Sequence, residues 1–116
     1  MKKIIILAIL FLSVFTFSRC HSSKKIAKGS VVKFTYENNL QTLIGENCTP
    51  CHFPLKGGNK KALDNYDSVK ANIDDMIRRI SLNPTDRGFM PFKHPKLSDS
   101  TIAVFKKWRD DGLLVK

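Results

Sequence analysis

Cys48, Cys51 and His52 place two thiols and an imidazole within the short run Cys-Thr-Pro-Cys-His. Two thiols that are separated by two residues can reach the two vinyl groups on one edge of a porphyrin and form thioether bonds there. The neighbouring imidazole then binds the iron through Nε2. Cys-x-x-Cys-His is the attachment motif of c-type haem, so the sequence predicts one haem c per chain, with His52 as the proximal iron ligand.

The same residues allow three other uses, which the sequence alone leaves open. A Cys-x-x-Cys pair can be a redox dithiol, although that motif normally opens a helix after a strand in a βαβ unit, and no such pattern is present here. The motif could also bind zinc together with His94, which would leave the downstream Met-Pro and the N-terminal leader without a role. A structural disulfide between Cys48 and Cys51 is the third alternative.

Met90 is the candidate for the second axial position of the iron. It precedes Pro91 in a loop, beside Gly88, whereas Met76 lies on a helical apolar stripe and is expected to fill the core. A thioether is a soft ligand that favours reduced iron, so His/Met ligation raises the reduction potential relative to two histidines. His94 is the alternative distal ligand and predicts a lower potential.

Residues 1–19 read as a secretory signal peptide. Lys2 and Lys3 form a positive n-region, and residues 4–17 are almost entirely apolar. That run is shorter than the roughly 18 or more residues of a membrane-spanning helix, which favours export and makes an uncleaved N-terminal helix the alternative. The protein is therefore expected outside the cytoplasm.

The residues at the end of this segment and the cysteine that follows it, Phe17-Ser18-Arg19-Cys20, resemble the lipobox of bacterial lipoproteins, in which the cysteine becomes the lipidated first residue. Arg19 and Phe17 depart from the small and aliphatic residues of that pattern. Lipidation of Cys20 would account for the odd third cysteine. The protein is then either periplasmic or anchored by this lipid at a bacterial membrane surface, its only expected membrane contact. Residues 20–32 are polar and form a flexible tether, which leaves residues 33–116 as the folded domain.

The apolar residues of this domain recur at helical spacing, and no run alternates convincingly with a period of two. A first helix carries the apolar residues Leu40, Leu43 and Ile44. Asp67 and Ser68 can cap a second helix over residues 67–72, and residues 73–82 either form a further helix or continue the second with a bend. The last helix begins at Ser98 or Asp99, and its apolar face carries Ile102, Phe105 and Trp108. The sequence therefore predicts an all-α domain of three to four short helices.

These motifs resemble those of the class I cytochromes c, and in particular the small haem-binding domains of secreted bacterial proteins. The resemblance covers about residues 34–114, and its specific parts are the Cys-x-x-Cys-His run and Met90-Pro91. Its weaker parts are Phe34-Thr35-Tyr36-Glu37, Leu63-Asp64-Asn65-Tyr66, Arg79-Ile80, and Trp108 four residues before Gly112. It implies a small cytochrome c-like helical fold in which the first and last helices cross, around one covalently attached haem.

The same resemblance implies roles for three further residues. Trp108 would belong to the core and contact the haem. Arg79 would approach a haem propionate, with Arg78 as the alternative. Pro54 would help to fix the loop whose backbone carbonyl accepts a hydrogen bond from the Nδ1–H of His52, a contact that such ligands need. The sequence does not identify that carbonyl.

The predicted function is electron transfer and not enzymatic catalysis. An iron with both axial positions filled offers no position to a substrate, and no nucleophile–base or carboxylate pair stands out. Asp74-Asp75 and Asp110-Asp111 are adjacent on helices and are expected to be solvated. If Met90 is labile or off the iron, the alternative is a haem protein that binds or senses a ligand, or a weak peroxidase. Nucleic-acid binding is disfavoured, because no basic stripe interleaved with aromatic residues and no recognition helix occurs.

The chain has 116 residues, enough for one domain, and carries a formal net charge of +10 from 20 Lys and Arg against 10 Asp and Glu. Loss of Lys2, Lys3 and Arg19 with the leader leaves +7, and two ionised propionates would reduce that to about +5. Lysines follow both axial-ligand candidates, at Lys56, Lys60, Lys61, Lys93 and Lys96. Either they form a solvated surface, or they steer a redox partner protein with an acidic docking face, with rates that fall as salt rises.

Overall fold

Residues 32–116, which the computed structural model describes, contain three α-helices: α1 (Gln41–Asn47), α2 (Tyr66–Ser81) and α3 (Asp99–Asp110). A π-helical turn, Tyr36–Leu40, precedes α1, and a 3-10 turn, Pro54–Lys56, lies between α1 and α2. The only β feature in this part of the chain is an isolated bridge between Thr35 and Leu114. The domain is thus mostly helical, which agrees with the expected all-α class.

The predicted signal peptide, the lipidation of Cys20 and nearly all of the tether lie outside the described residues. They stay predictions from the sequence. Within residues 32–116, no helix is long and apolar enough to cross a membrane.

Helix α2 is one continuous helix and not two segments. Its N-cap is Asn65, whose side-chain oxygen accepts a hydrogen bond from the backbone N–H of Ser68 at 2.9 Å. The predicted cap at Asp67 or Ser68 is therefore two to three residues too late. The helix ends before the Asn83-Pro84 pair, as the geometry of proline predicts. Its inward face is a single buried stripe, made of Val69, Ile73, Met76, Ile77 and Ile80.

Helix α3 begins after Ser98, which caps it as predicted. The Ser98 hydroxyl accepts a hydrogen bond from the backbone N–H of Thr101 at 3.1 Å. The apolar face of α3 joins the first helical segment in one buried core, which includes Leu40, Ile44, Ile102, Phe105 and Trp108. Helix α3 contacts both α2 and the π-helical turn, so the last helix packs against the start of the first helical segment.

Asp111 departs from the solvated position expected of it. Its side chain is only 11% exposed, and its carboxylate accepts hydrogen bonds from the backbone N–H of Phe34, at 2.7 Å, and from the ammonium of Lys107. The other three aspartates of the two adjacent pairs are exposed, as expected. Asp111 therefore ties the start of the domain to α3. The sequence around Asp111 does not indicate this contact, because Phe34 lies 77 residues earlier.

Candidate functional site

The Cys-x-x-Cys-His run follows directly on the C-terminus of α1. The N–H of Cys48 donates to the carbonyl of Ile44 at 2.9 Å, and the N–H of His52 donates to the carbonyl of Cys48 at 3.0 Å. Cys48 is half-buried and Cys51 is exposed, and both are free thiols. The turn therefore presents two thiols and an imidazole from one hydrogen-bonded segment, and the disulfide alternative gains no support.

The imidazole of His52 is fixed by a backbone carbonyl. Its Nδ1 lies 2.7 Å from the carbonyl oxygen of Lys61, and because a carbonyl oxygen can only accept, the ring proton belongs on Nδ1. Nε2 then keeps its lone pair, with which it can bind a metal. Lys61 thus supplies the carbonyl that the sequence could not identify, in the loop that begins with Phe53 and Pro54.

The loop between His52 and α2 is held against the motif by backbone contacts. The N–H of Lys60 donates to the carbonyl of Cys51 at 3.0 Å, and the N–H of Leu63 donates to the carbonyl of His52 at 2.9 Å. At Gly58, an added β-carbon would lie 2.6 Å from the carbonyl oxygen of Cys51. Only glycine permits so close an approach of two backbone segments. The sequence does not indicate this role, because a Gly-Gly pair in a loop predicts a turn and not a close backbone contact.

A cavity of about 390 Å³ opens between the motif, helix α2 and the loop that precedes α3. Its wall includes five of the seven residues predicted to bind the cofactor: Cys48, Cys51, His52, Arg79 and Met90. Apolar side chains complete much of the wall: Leu63, Met76, Ile80, Leu97 and Phe105. Two thiols, an imidazole and a thioether therefore share one largely apolar cavity.

Both candidates for the distal ligand line this cavity, but they differ in burial. Met90 is half-buried beside the buried Pro91, whereas His94 is exposed. The N–H of Met90 donates to the carbonyl of Arg79 at 3.3 Å, which joins the Met90 loop to α2. Burial favours Met90, because a weak thioether ligand competes best for a metal where water is excluded.

The structure does not bring Trp108 or Pro54 into the cavity wall. Trp108 is fully buried elsewhere in the core, where its ring centroid lies 6.1 Å from those of Tyr36 and Tyr66. Its Nε1 donates to a backbone carbonyl at 2.8 Å. Phe105, one helical turn earlier, lines the cavity instead. The predicted core position of Trp108 is confirmed, whereas its predicted haem contact has no counterpart in this arrangement.

Charged side chains surround the cavity on the side of α2. Arg79 donates from Nε to Asp75 at 2.7 Å and from Nη1 to the carbonyl of Gly88 at 3.4 Å. Hydrogen bonds from Arg79 and then from Arg78 hold the pKa of Asp75 below its usual value. Lys60 and Lys61 add two further cations to the wall. These charged side chains, Lys60, Lys61, Asp75 and Arg79, form the rim of the cavity. The net charge of the rim is positive, which suits an anionic group.

The thiol of Cys48 lacks the lowered pKa of a reactive redox thiol. Burial raises its pKa to about 11, so the thiol is protonated near neutral pH, whereas reactive thiols in redox motifs have a lowered pKa. Zinc also gains no support, because in residues 32–116 no three His, Cys, Asp or Glu side chains are arranged to hold a metal ion.

Thr49, between the two cysteines, contributes an unsatisfied polar atom. Its hydroxyl is buried without a hydrogen-bond partner among the described residues, and Thr49 belongs to the cavity wall. A buried hydroxyl that makes no hydrogen bond costs free energy. Its position therefore marks a place where a bound group could complete the contacts.

No protein-family model, curated protein or solved structure matches this chain. The assignment of a function therefore depends on the residues and geometry of the cavity.

Proposed function

We propose that this protein is a single-haem c-type cytochrome that carries electrons, with His52 and Met90 as the axial iron ligands. The observation that carries the proposal is the hydrogen bond of 2.7 Å between His52 Nδ1 and the carbonyl of Lys61. This bond selects the tautomer whose Nε2 can bind iron. The histidine concerned, His52, directly follows Cys51, the second of the two free thiols.

The residues around the cavity fit such a cofactor. Cys48 and Cys51 would hold the porphyrin through thioether bonds, and Met90 lines the same cavity with a soft sulfur ligand. The apolar wall from α2 and α3 suits the porphyrin ring, and the cations on the rim suit its two propionates. This fit supports a small cytochrome c-like fold for residues 33–116.

The bound iron would supply one-electron exchange, which the protein would tune through the axial ligands, burial and hydrogen bonds. With His52 and Met90 both ligated, no coordination position stays open for a substrate. Electron transfer is therefore the proposed role, and the class I cytochromes c that the motifs resemble have this role.

The redox partner would be a protein with an acidic docking face outside the cytoplasm. Lys60 and Lys61 lie in the cavity wall, and the ammonium of Lys93 lies 5.4 Å above the ring of the exposed Phe92 beside it. Such cations attract an acidic surface during encounter. The leader and Cys20 support export to the periplasm or to a lipid-anchored position at the membrane surface.

Absorption spectra of the purified full-length protein, oxidised and reduced, test the proposal. We expect the bands of a low-spin, six-coordinate haem in both states, and the weak far-red band of a ferric iron–thioether bond. A high-spin spectrum with rapid CO binding in the absence of denaturant would show an open iron position. It would favour the alternative of a ligand-binding or sensing haem protein, or a weak peroxidase. A protein without haem absorption would contradict both.

A further inference from the structure

We infer that Asn72 is a positioning residue for the proximal histidine and acts through Lys61. The inference rests on the proposed function, because it concerns the control of His52 as an iron ligand. Lys61 makes two contacts at once: its carbonyl accepts from His52 Nδ1 at 2.7 Å, and its ammonium donates to Oδ1 of Asn72 at 2.7 Å. Asn72 therefore holds the residue that orients His52.

Asn72 is itself held on α2. Its Nδ2 donates to the carbonyl of Ser68, one helical turn earlier, at 2.6 Å. That contact orients the side-chain amide so that Oδ1 is left for Lys61. Residues 57–65 form no helix or strand, whereas α2 extends over 16 residues. The contact between Asn72 and Lys61 thus anchors a loop carbonyl to the longest helix among the described residues.

The hydrogen bond from Nδ1 determines how much negative character the imidazole of His52 carries, and hence how strongly it stabilises ferric iron. If the carbonyl of Lys61 moves away, the imidazole donates less electron density and the reduction potential rises. Anchoring by Asn72 therefore lowers the potential. It also slows the exchange of the Nδ1 proton with water.

The test compares Asn72→Leu with the wild type in the haem-loaded full-length protein. The substitution removes the acceptor for Lys61, keeps the branching at Cγ and leaves the net charge unchanged. We expect a higher reduction potential and faster hydrogen exchange of the His52 Nδ1 proton, followed by NMR in the reduced protein. The exchange rate should rise by about two- to tenfold, the factor that corresponds to one hydrogen bond. Wild-type values for both quantities would overturn the inference.

Lys61→Met and Lys60→Met form a matched pair. Each removes one positive charge from the cavity wall, which by itself lowers the potential. Among the described residues, only Lys61 donates to the side chain of Asn72. We expect Lys61→Met to have a higher potential and faster Nδ1 exchange than Lys60→Met. Equal behaviour of the two lysine variants would overturn the inference, and this comparison does not depend on the folding of Asn72→Leu.

A double variant shows whether the two residues act through one contact. Asn72→Leu combined with Lys61→Met should exchange the Nδ1 proton no faster than the faster single variant, because each removes the same hydrogen bond. Additive effects would overturn the inference. Wild-type protein without covalent haem would overturn the proposed function and this inference with it, whereas haem-loaded wild type with unresponsive variants would overturn the inference alone.

Discussion

Gly58 lies against the backbone carbonyl of Pro50, so closely that a β-carbon at position 58 would overlap the carbonyl oxygen. This contact seats the loop that carries Lys61 on the Cys-x-x-Cys-His turn. Loop and turn are therefore one packed unit, and the orientation of His52 depends in part on a residue that has no side chain.

Gly58→Ala should force these two backbone segments apart. We expect a loss of roughly 1–3 kcal/mol in the free energy of unfolding, the usual cost of overpacking, and a lower yield of covalently bound haem. Gly45→Ala is the matched control, because nothing lies within 4 Å of its added β-carbon and the residue is inside α1. It should be neutral or stabilise the protein by up to about 1 kcal/mol. Denaturant titration measures both variants, and equal stabilities would refute the close contact.

Met90→Ala should retain the covalent haem and lower its reduction potential by on the order of 100 mV, because the thioether that favours reduced iron is lost. The far-red band of the ferric protein should disappear together with the iron–thioether bond. His94→Ala should leave the potential and the band unchanged. Potentiometric titration of the two variants measures the difference, and the opposite result would assign the distal position to His94.

Asp111 should make the stability of the domain sensitive to acid. The pKa of its carboxyl lies below the usual value, first because Lys107 donates to it and then because the N–H of Phe34 does. A carboxylate of this kind contributes stability that is present above its unfolded pKa, about 3.9, and is lost as the pH falls through the lower folded pKa. Asp111→Asn should therefore be less stable than the wild type near neutral pH.

Urea midpoints measured between about pH 6 and about pH 2 check this dependence. The wild-type midpoint should fall below about pH 4, and the difference from Asp111→Asn should shrink over the same range. Asp110→Asn is the control, because its carboxylate is 63% exposed and contacts only the neighbouring Arg109. Parallel profiles for the wild type and Asp111→Asn would show that Asp111 contributes no pH-dependent stability.

The positive rim should steer small redox reagents as well as proteins. Oxidation of the reduced protein by an anionic metal complex should slow as salt is added, and oxidation by a cationic complex should quicken, because salt screens attraction and repulsion alike. Lys60→Glu should slow the anionic reaction more than Lys106→Glu, which makes the same charge change outside the cavity wall. Stopped-flow rates measure this, and the same salt dependence for both reagents would argue against a charged transfer face.

Features carried by neighbouring residues or by periodicity could be predicted from the sequence. The spacing of Cys48, Cys51 and His52 predicts covalent attachment of haem without reference to any fold, and this stays a prediction. The buried faces of α2 and α3 follow from helical spacing, because a residue that recurs every turn faces one side. The cap at Ser98 follows from local hydrogen bonding.

Features that depend on distant backbone atoms could not be predicted. Every residue has a carbonyl, so nothing in the sequence marks that of Lys61 as the partner of His52. The burial of Trp108 follows from periodicity, but the side of the core on which it lies does not. Asp111 binds a backbone N–H 77 residues away, and the π-helical turn before α1 carries no separate sequence signal.

Intact mass measurement under denaturing conditions tests the covalent attachment of haem most directly. The full-length protein should be produced in cells that export it and attach haem c, with Cys48→Ala/Cys51→Ala and Cys20→Ala variants beside it. The proposal predicts that the wild type and Cys20→Ala each carry the mass of one haem and that the double variant carries none; lipidation of Cys20 would add the mass of the lipid to every protein except Cys20→Ala. A wild-type protein whose mass is that of the polypeptide alone, or whose haem dissociates on denaturation, would contradict the proposal.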